Sequence, residues 1–278
     1  MKKLILFAIL MYGVLLSACG GGGGDSSTGL LSASITDARP VLPAGIQRVM
    51  VTIDEVSVHK SGGGWISLPL AQTPFTIDLL QFTDGQTTQL VPQVELTSGK
   101  YTQVRLGVQS ATIVTDDETE IPVEIDPKDL KTDKNFDFEV QGGGAVALTV
   151  DFDLSQSIVA TGSDTFKLKP VLHLVSTAEA ATITGSISTA AYGDENQATI
   201  IVTQDRDNSG SLTEGDVEYT RLVVDKGTTG DPTLFSIYWL VPNQSYIVDI
   251  QIGSTTYPTQ AVANTDLPPT GGHTLDSI

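Results

Sequence analysis

The stretch Arg48-Val49-Met50-Val51-Thr52-Ile53-Asp54-Glu55-Val56-Ser57-Val58-His59 decides the fold class. Val49, Val51 and Ile53 alternate with Met50, Thr52 and Asp54, the two-residue period of a strand with one dry and one wet face. Outward from it, short apolar or alternating stretches recur at residues 31–36, 65–68, 75–79, 100–108, 111–114, 145–152 and 165–175. Gly62-Gly63-Gly64, Asp84-Gly85, Ser98-Gly99 and Gly142-Gly143-Gly144 supply the turns between them. Helical signals are confined to residues 79–82, 91–96 and 127–131, each good for a turn or two. The pattern predicts an all-β chain made of two β-sandwich, or partly open barrel, domains.

Composition agrees. Of 278 residues, 40% are hydrophobic and 17% charged, enough apolar material for real cores and too little charge for a disordered polyelectrolyte. Fifteen Lys and Arg stand against 33 Asp and Glu, a net charge of −18. Phosphate backbones are bound by clustered cations, so a nucleic-acid partner is excluded from the expectations.

The first residues give an address. Lys2 and Lys3 precede an apolar stretch, residues 4–16, that is short for a membrane span and suited to a secretory signal. Leu16-Ser17-Ala18-Cys19 follows and resembles the lipobox of bacterial lipoproteins, which implies lipid attachment at Cys19 after removal of residues 1–18. Cys19 is the single cysteine, so no intrachain disulfide can form. Without Lys2 and Lys3 the chain keeps 13 basic against 33 acidic residues, a charge of −20. Gly20 after the cysteine favours the outer membrane by the same resemblance. Residues 19–29 read as a Gly-rich flexible tether with a reach of about 15–20 Å.

Beyond the tether, residues 30–176 carry Ser32-Ala33-Ser34-Ile35-Thr36-Asp37-Ala38, the 51–60 strand, a Gly-Gly-Trp, Phe75-Thr76-Ile77-Asp78-Leu79-Leu80, Lys100-Tyr101-Thr102-Gln103-Val104-Arg105, and Leu148-Thr149-Val150-Asp151-Phe152-Asp153, in that order. This succession resembles the DUF4382 family, a domain of unknown function found in secreted and lipid-anchored prokaryotic proteins. The resemblance implies an all-β domain and brings no catalytic residues.

A short linker, residues 177–181, separates a second unit, residues 182–278. Its strands are expected at 182–187, 198–203, 217–224, 233–239, 245–252 and 254–256. Leu240-Val241-Pro242-Asn243-Gln244-Ser245-Tyr246, with Phe235 upstream, resembles the hairpin of prealbumin-like or carboxypeptidase-regulatory-like sandwiches, although Asn243-Gln244 stands where that pattern usually carries Gly.

Between two of these strands lies Asp205-Arg206-Asp207-Asn208-Ser209-Gly210-Ser211-Leu212-Thr213-Glu214-Gly215-Asp216. Carboxylates at positions 1, 3 and 12, a hydroxyl at 5, Gly at 6 and a carbonyl at 7 are the donor order of a calcium loop. It resembles dockerin-type and EF-hand-like loops. The expected ligands are Asp205, Asp207, Ser209, the Ser211 carbonyl and Asp216, with Thr213 acting through water and Leu212 pinning the loop to the core. All-oxygen donors favour calcium over zinc or copper. Ser at position 5 and the short Asp at 12 imply a modest affinity and a structural role.

Other candidates are plainer. Asp151 and Asp153 fall two apart on one strand face, and Asp116, Asp117, Glu118 and Glu120 form an acidic turn; both are read as solvated. His59, His173 and His273 are scattered, with neither HExxH nor G-x-S-x-G. Trp65, Tyr101, Tyr238 and Trp239 are assigned to core packing ahead of a sugar-binding face. The function expected is that of a lipid-anchored, non-catalytic envelope protein that binds, scaffolds or adheres, with a membrane contact through its lipid and an envelope protein or polysaccharide as partner. A carbohydrate- or peptide-binding accessory module is the alternative, and a hydrolase ranks last.

Overall fold

The computed structural model describes residues 27–126, 129–131 (main chain), 136–162, 165–228 and 230–278. Cys19 and the signal segment lie outside them, as does Pro127. The described chain is nearly all-β, 59% strand and 4% helix, as its composition leads one to expect.

The first unit contains β1 Thr28–Thr36, β2 Ile46–Lys60, β3 Trp65–Leu68, β4 Phe75–Asp78, β5 Thr88–Thr97, β6 Gly99–Thr115, β7 Glu120–Ile125, β8 Asp129–Lys131, β9 Phe138–Val140, β10 Ala145–Asp153, β11 Ile158–Gly162, β12 Thr165–Leu168 and β13 Val171–Ser176. One sheet runs β13-β10-β1-β5, with β1 and β10 parallel. The other runs β11-β12-β7-β6-β2-β3, with β4 added to β2 and with β8 and β9 added to β6. Leu31, Ile35 and Val150 from the first sheet and Val51, Ile53, Leu106 and Ile113 from the second share one core.

Several local departures have physical causes. β1 starts at Thr28, inside the stretch read as tether, because Gly29 is packed: a Cβ there would meet the Gln141 carbonyl oxygen at 2.3 Å. In β2 the alternation slips at Asp54-Glu55, where the register against β6 shifts, and Val56 and Val58 are thereby returned to the core. Gly107 faces this bulge, and a Cβ would approach Asp54 Oδ1 to 2.8 Å. The turn predicted at 79–82 is a short 3₁₀ helix, Leu79–Gln81, capped by Asp78. The one predicted at 91–96 is strand β5, whose Leu90, Val91 and Leu96 are buried. The stretch 165–175 is two strands, because Pro170 lacks an N–H to continue the ladder.

The second unit contains β14 Ala181–Ile187, β15 Gln197–Asp205, β16 Val217–Asp225, β17 Thr233–Leu240, β18 Ser245–Ile252, β19 Thr255–Thr256, β20 Gln260–Val262 and β21 Gly272–Thr274. Its sheets are β17-β14-β21 and β16-β15-β18-β19, with β20 on β18. Ile183, Ile200, Val202, Ile237, Tyr246 and Val248 lie in a separate core. Asn243 adopts φ 57°, the left-handed conformation that explains why glycine is favoured at that hairpin position.

The two units meet at a polar seam. A four-residue helix, α1 Leu154–Ser157, is capped by Asp153, which accepts from Gln156 N. Gln156 Nε2 donates to Asp153 Oδ2 at 2.7 Å and to the Tyr219 carbonyl of β16 at 2.8 Å. Ser155 Oγ donates to the Arg221 carbonyl at 2.9 Å, and Val223 N donates to the Arg39 carbonyl at 3.0 Å. The His173 ring stacks on Tyr219 with centroids 4.1 Å apart. Arg39 pairs with Asp225 at the rim. Main-chain acceptors of β16 are thus satisfied by the first unit, so neither unit closes its hydrogen bonding alone.

Candidate functional site

Two groups of carboxylates stand out, one expected and one not. The expected group sits on the connection between β15 and β16, which pair antiparallel up to Gln204 and Val217. Asp205 ends β15 and is 4% exposed, whereas Ser209, Ser211 and Thr213 are open to solvent. Asp205 accepts from the main-chain N–H groups of Ser209 (3.1 Å) and Gly210 (2.8 Å). Asp207 Oδ1 accepts from Ser209 N at 3.0 Å. Asp216 accepts from Arg206 N at 2.9 Å and Thr213 N at 2.8 Å, closing the loop on itself. Asn208, Gly210 and Gly215 take positive φ to make these bends. Ser245 Oγ donates to Asn208 Oδ1 at 2.7 Å and accepts from Asn264 N, which fixes the loop to β18.

One ligating oxygen from each of Asp205, Asp207 and Asp216 lies within 4.8 Å of the others. Oxygens on opposite sides of a calcium ion at about 2.4 Å are about 4.8 Å apart, so the three fit one coordination shell. Thr213 Oγ1 lies 2.9 Å from Asp207 Oδ2 and 3.0 Å from Asp216 Oδ2, and its single proton serves one of them. Ser209 Oγ donates to the Ser211 carbonyl at 2.8 Å, so those two donors are neighbours as well. Hydrogen bonds, from Ser209 first for Asp207 and from the Thr213 amide first for Asp216, hold both carboxyls below the ordinary carboxylate range, in the ionised form a cation requires. Leu212 corrects the expectation made for it. It is 56% exposed and pins nothing, because the loop is held by main-chain bonds and by Ser245 instead.

The unexpected group is buried in the seam. Asp151 is 5% exposed and Asp153 1%, where a wet strand face was predicted. Their alternation with Val150 and Phe152 does point them away from the first core, but the second unit covers that face, so residues 148–153 of β10 are all buried. Asp37, 2% exposed, follows β1, and β1 lies beside β10 with Thr36 opposite Asp151. Asp37 Oδ1 accepts from Leu154 N at 3.2 Å. Burial, then the neighbouring carboxylates, pushes Asp37 and Asp151 well above the ordinary range, and burial raises Asp153. His173 Nε2 lies 3.9 Å from Asp153 Oδ2. The acidic turn at 116–120 is solvated as expected, with Arg48 reaching Glu118.

Of the four aromatics assigned to packing, Tyr101 is fully buried and Trp65 is half-buried beneath Arg105, whose guanidinium lies 3.9 Å from the ring centroid. Trp239 is half-buried at the seam, and Tyr238 is 40% exposed.

Residues 28–170, half of the chain, match the family described as Domain of unknown function (DUF4382). The chain belongs to the DUF4382 family. Its family domain therefore includes β1, β10, Asp37, Asp151 and Asp153, while the β15–β16 loop lies beyond it. A search of curated proteins returns no match. Solved structures with some likeness include a candidate cell adhesion protein from Bacteroides ovatus, 10% identical over 89% of this DUF4382 chain and 91% of that one, with a TM-score of 0.23. Another is the fimbrial anchor protein Mfa2 from Porphyromonas gingivalis, 10% identical over 85% and 84%, with a TM-score of 0.22. A candidate adhesin from Bacteroides ovatus is 10% identical over 92% and 91%, with a TM-score of 0.24. Among the described residues no helix is long and apolar enough to cross a membrane.

Proposed function

We propose that this DUF4382 protein is a lipid-anchored, non-catalytic binding and scaffolding protein of the cell envelope, with one structural calcium ion in its second unit. The observation that carries the calcium reading is the convergence of Asp205, Asp207 and Asp216 within 4.8 Å, with no cationic side chain bonded to any of the three among the described residues. An ion there would neutralise a concentration of negative charge and lock the β15–β16 connection, which is a stabilising role and not a chemical one. The site would be held by Asp205, Asp207, Asp216, the Ser209 hydroxyl and the Ser211 carbonyl.

The scaffolding reading rests on the seam. Of its buried carboxylates, Asp37 and Asp151 face a cleft of about 20 Å³, room for a water and none for a substrate, so they do not read as the acid–base pair of a hydrolase. A sugar-binding platform calls for several exposed aromatics, and Tyr238 is the one exposed aromatic among the described residues. The lipobox at Cys19, with Gly20 after it, supports an anchor in the outer membrane, and a chain this acidic gains nothing from anionic lipid, leaving acyl chains as its hold on the bilayer. Cell fractionation of Cys19→Ser tests the anchor: the variant should leave the membrane fraction, and unchanged membrane association would refute it. Crosslinking in intact cells, with and without chelator, tests the binding role. One recurrent envelope protein or polysaccharide supports it, and none in either condition contradicts it.

A further inference from the structure

The two sheets of the second unit end differently on the side where β16 and β17 are outermost. The edge of β16 is taken up by the first unit: Gln156 and Ser155 donate to the Tyr219 and Arg221 carbonyls, and Val223 N donates to the Arg39 carbonyl. The edge of β17 is not. In β14 the Thr184 and Ser186 carbonyls accept from Leu275 N (2.8 Å) and Ile278 N (3.2 Å), on the side away from β17. Main-chain groups alternate from side to side along a strand, so Gly185 and Ile187 face β17, opposite Phe235 and Thr233. Leu234 and Ser236 therefore turn their N–H and C=O groups outward, and among the described residues no hydrogen bond reaches those four groups. Proteins blunt such edges with charge or proline. β5, outermost in the first unit, carries Pro92 and Glu95, whereas Thr233–Leu240 has neither a charge nor a proline.

The bare edge borders an apolar groove. A space of about 350 Å³ runs between β16 and β17 over buried Leu222, Val224 and Phe235. Leu234, 78% exposed, and Tyr238 stand on its rim. Both ends are acidic. Exposed Asp84 lines the end where Gly85 packs on the Tyr238 ring, and exposed Asp231 precedes Thr233 at the other. Among the described residues neither pairs with a cation, whereas Asp225 is neutralised by Arg39. We propose that β17 is a strand-addition site for an extended segment of a partner protein, apolar at alternate positions and carrying Lys or Arg at its ends. The added strand satisfies the outward groups of Leu234 and Ser236, lays its inward side chains over Val224 and Phe235, and sets its cations against Asp84 and Asp231. A second copy of this chain is a poor occupant. β17 brings no cation, and two-fold pairing about Ser236 would turn Asp84 of one chain toward Asp231 of the other, between bodies that each carry −18. The site gives the binding role proposed above its contact surface and partner chemistry, and it rests on that role.

Binding of a fluorophore-labelled KTVTVTVK peptide to the full chain, followed by fluorescence anisotropy, tests the edge. The wild type should bind it, and should bind the charge-reversed ETVTVTVE more weakly. Ser236→Pro removes an outward N–H without touching the β14 ladder and should weaken binding about tenfold or more. No binding at about 1 mM protein overturns the proposal, as does equal affinity for the two peptides or equal affinity of wild type and Ser236→Pro. Where Ser236→Pro does not fold, amide hydrogen exchange of the wild type is the readout: peptide should slow the Leu234 and Ser236 amides, and unchanged exchange there overturns the proposal. A dimer in sedimentation that Ser236→Pro dissociates gives the edge to a second copy and overturns it as well. The wider binding role is judged separately by crosslinking in cells, where a recurrent partner captured equally by Ser236→Pro keeps that role and removes β17 from it.

Discussion

Neutralising the loop carboxylates should cost the second unit its calcium-dependent stability, beyond what the lost main-chain hydrogen bonds to Asp207 and Asp216 contribute without the ion. The perturbation is Asp207→Asn with Asp216→Asn, which keeps side-chain size, turns one acceptor oxygen of each into an amide donor, and removes two of the three charges that converge within 4.8 Å. A shell of three carboxylates, one hydroxyl and one carbonyl belongs with extracellular-type sites, whose dissociation constants are about 0.1–1 mM. At about 10 mM calcium the free ion exceeds such a constant by about 10–100-fold, so binding to the folded state alone contributes about 1.4–2.7 kcal/mol. For a unit the size of residues 182–278, that corresponds to a rise of about 6–20 °C in the melting temperature. The assay is calorimetric melting of chelator-treated wild type and variant, each with and without calcium. Wild type should show the rise, and the variant should lose that part of it which comes from the loop. An equal calcium increment in both proteins would refute the loop as the origin of the effect.

Other consequences are simpler to read. Gly185→Ala in β14 places a Cβ 2.3 Å from Phe235 Cζ, and overpacking of this kind should destabilise the second unit by about 1–3 kcal/mol in urea unfolding. Gln156→Ala removes the side-chain bonds to Asp153 and to the Tyr219 carbonyl across the seam. A loss of about 1–2 kcal/mol is expected, with the two units melting more independently, and an unchanged calorimetric profile would count against the seam as a coupling element. Metal-free protein should lose stability as pH rises from the ordinary carboxylate value of 3.8. Asp37, Asp151 and Asp153 have raised values when folded, so the folded state holds protons that the unfolded chain has released, and linkage then disfavours folding as they ionise. Asp207 and Asp216, lowered when folded, act with the opposite sign: their contribution is present above 3.8 and is lost as pH falls through their folded values. Asp151→Asn should flatten the decline on the alkaline side, and a decline of unchanged slope would exclude the seam as its source.

The strand content and the calcium-type loop were legible because each is a local pattern. Val49, Val51 and Ile53 announce a half-buried strand by period alone, and Asp205 to Asp216 carry their donors at loop spacing within a dozen residues. Asn243 kept the hairpin's positive φ without its glycine, since asparagine tolerates that conformation. What could not be read were features set by contacts between distant segments. The β2 bulge depends on Gly107 across the sheet, and Gly29, in a run of tether-like glycines, is fixed by Gln141. Asp151 and Asp153 alternate with apolar residues just as solvated positions do. Period places them on the face away from the first core, but it says nothing about a second unit lying on that face. Asp37 gave a weaker signal still. It follows the alternation of β1 by one step, where Thr36 and Asp37 are both buried, and the break marks entry into the seam.

The most direct test is a crystal structure of the protein grown with calcium, with anomalous difference density calculated at the β15–β16 loop. The account predicts a peak coordinated by Asp205, Asp207, Asp216, Ser209 Oγ and the Ser211 carbonyl. A well-ordered loop that holds only water at that position, at a calcium concentration well above a millimolar constant, would contradict it.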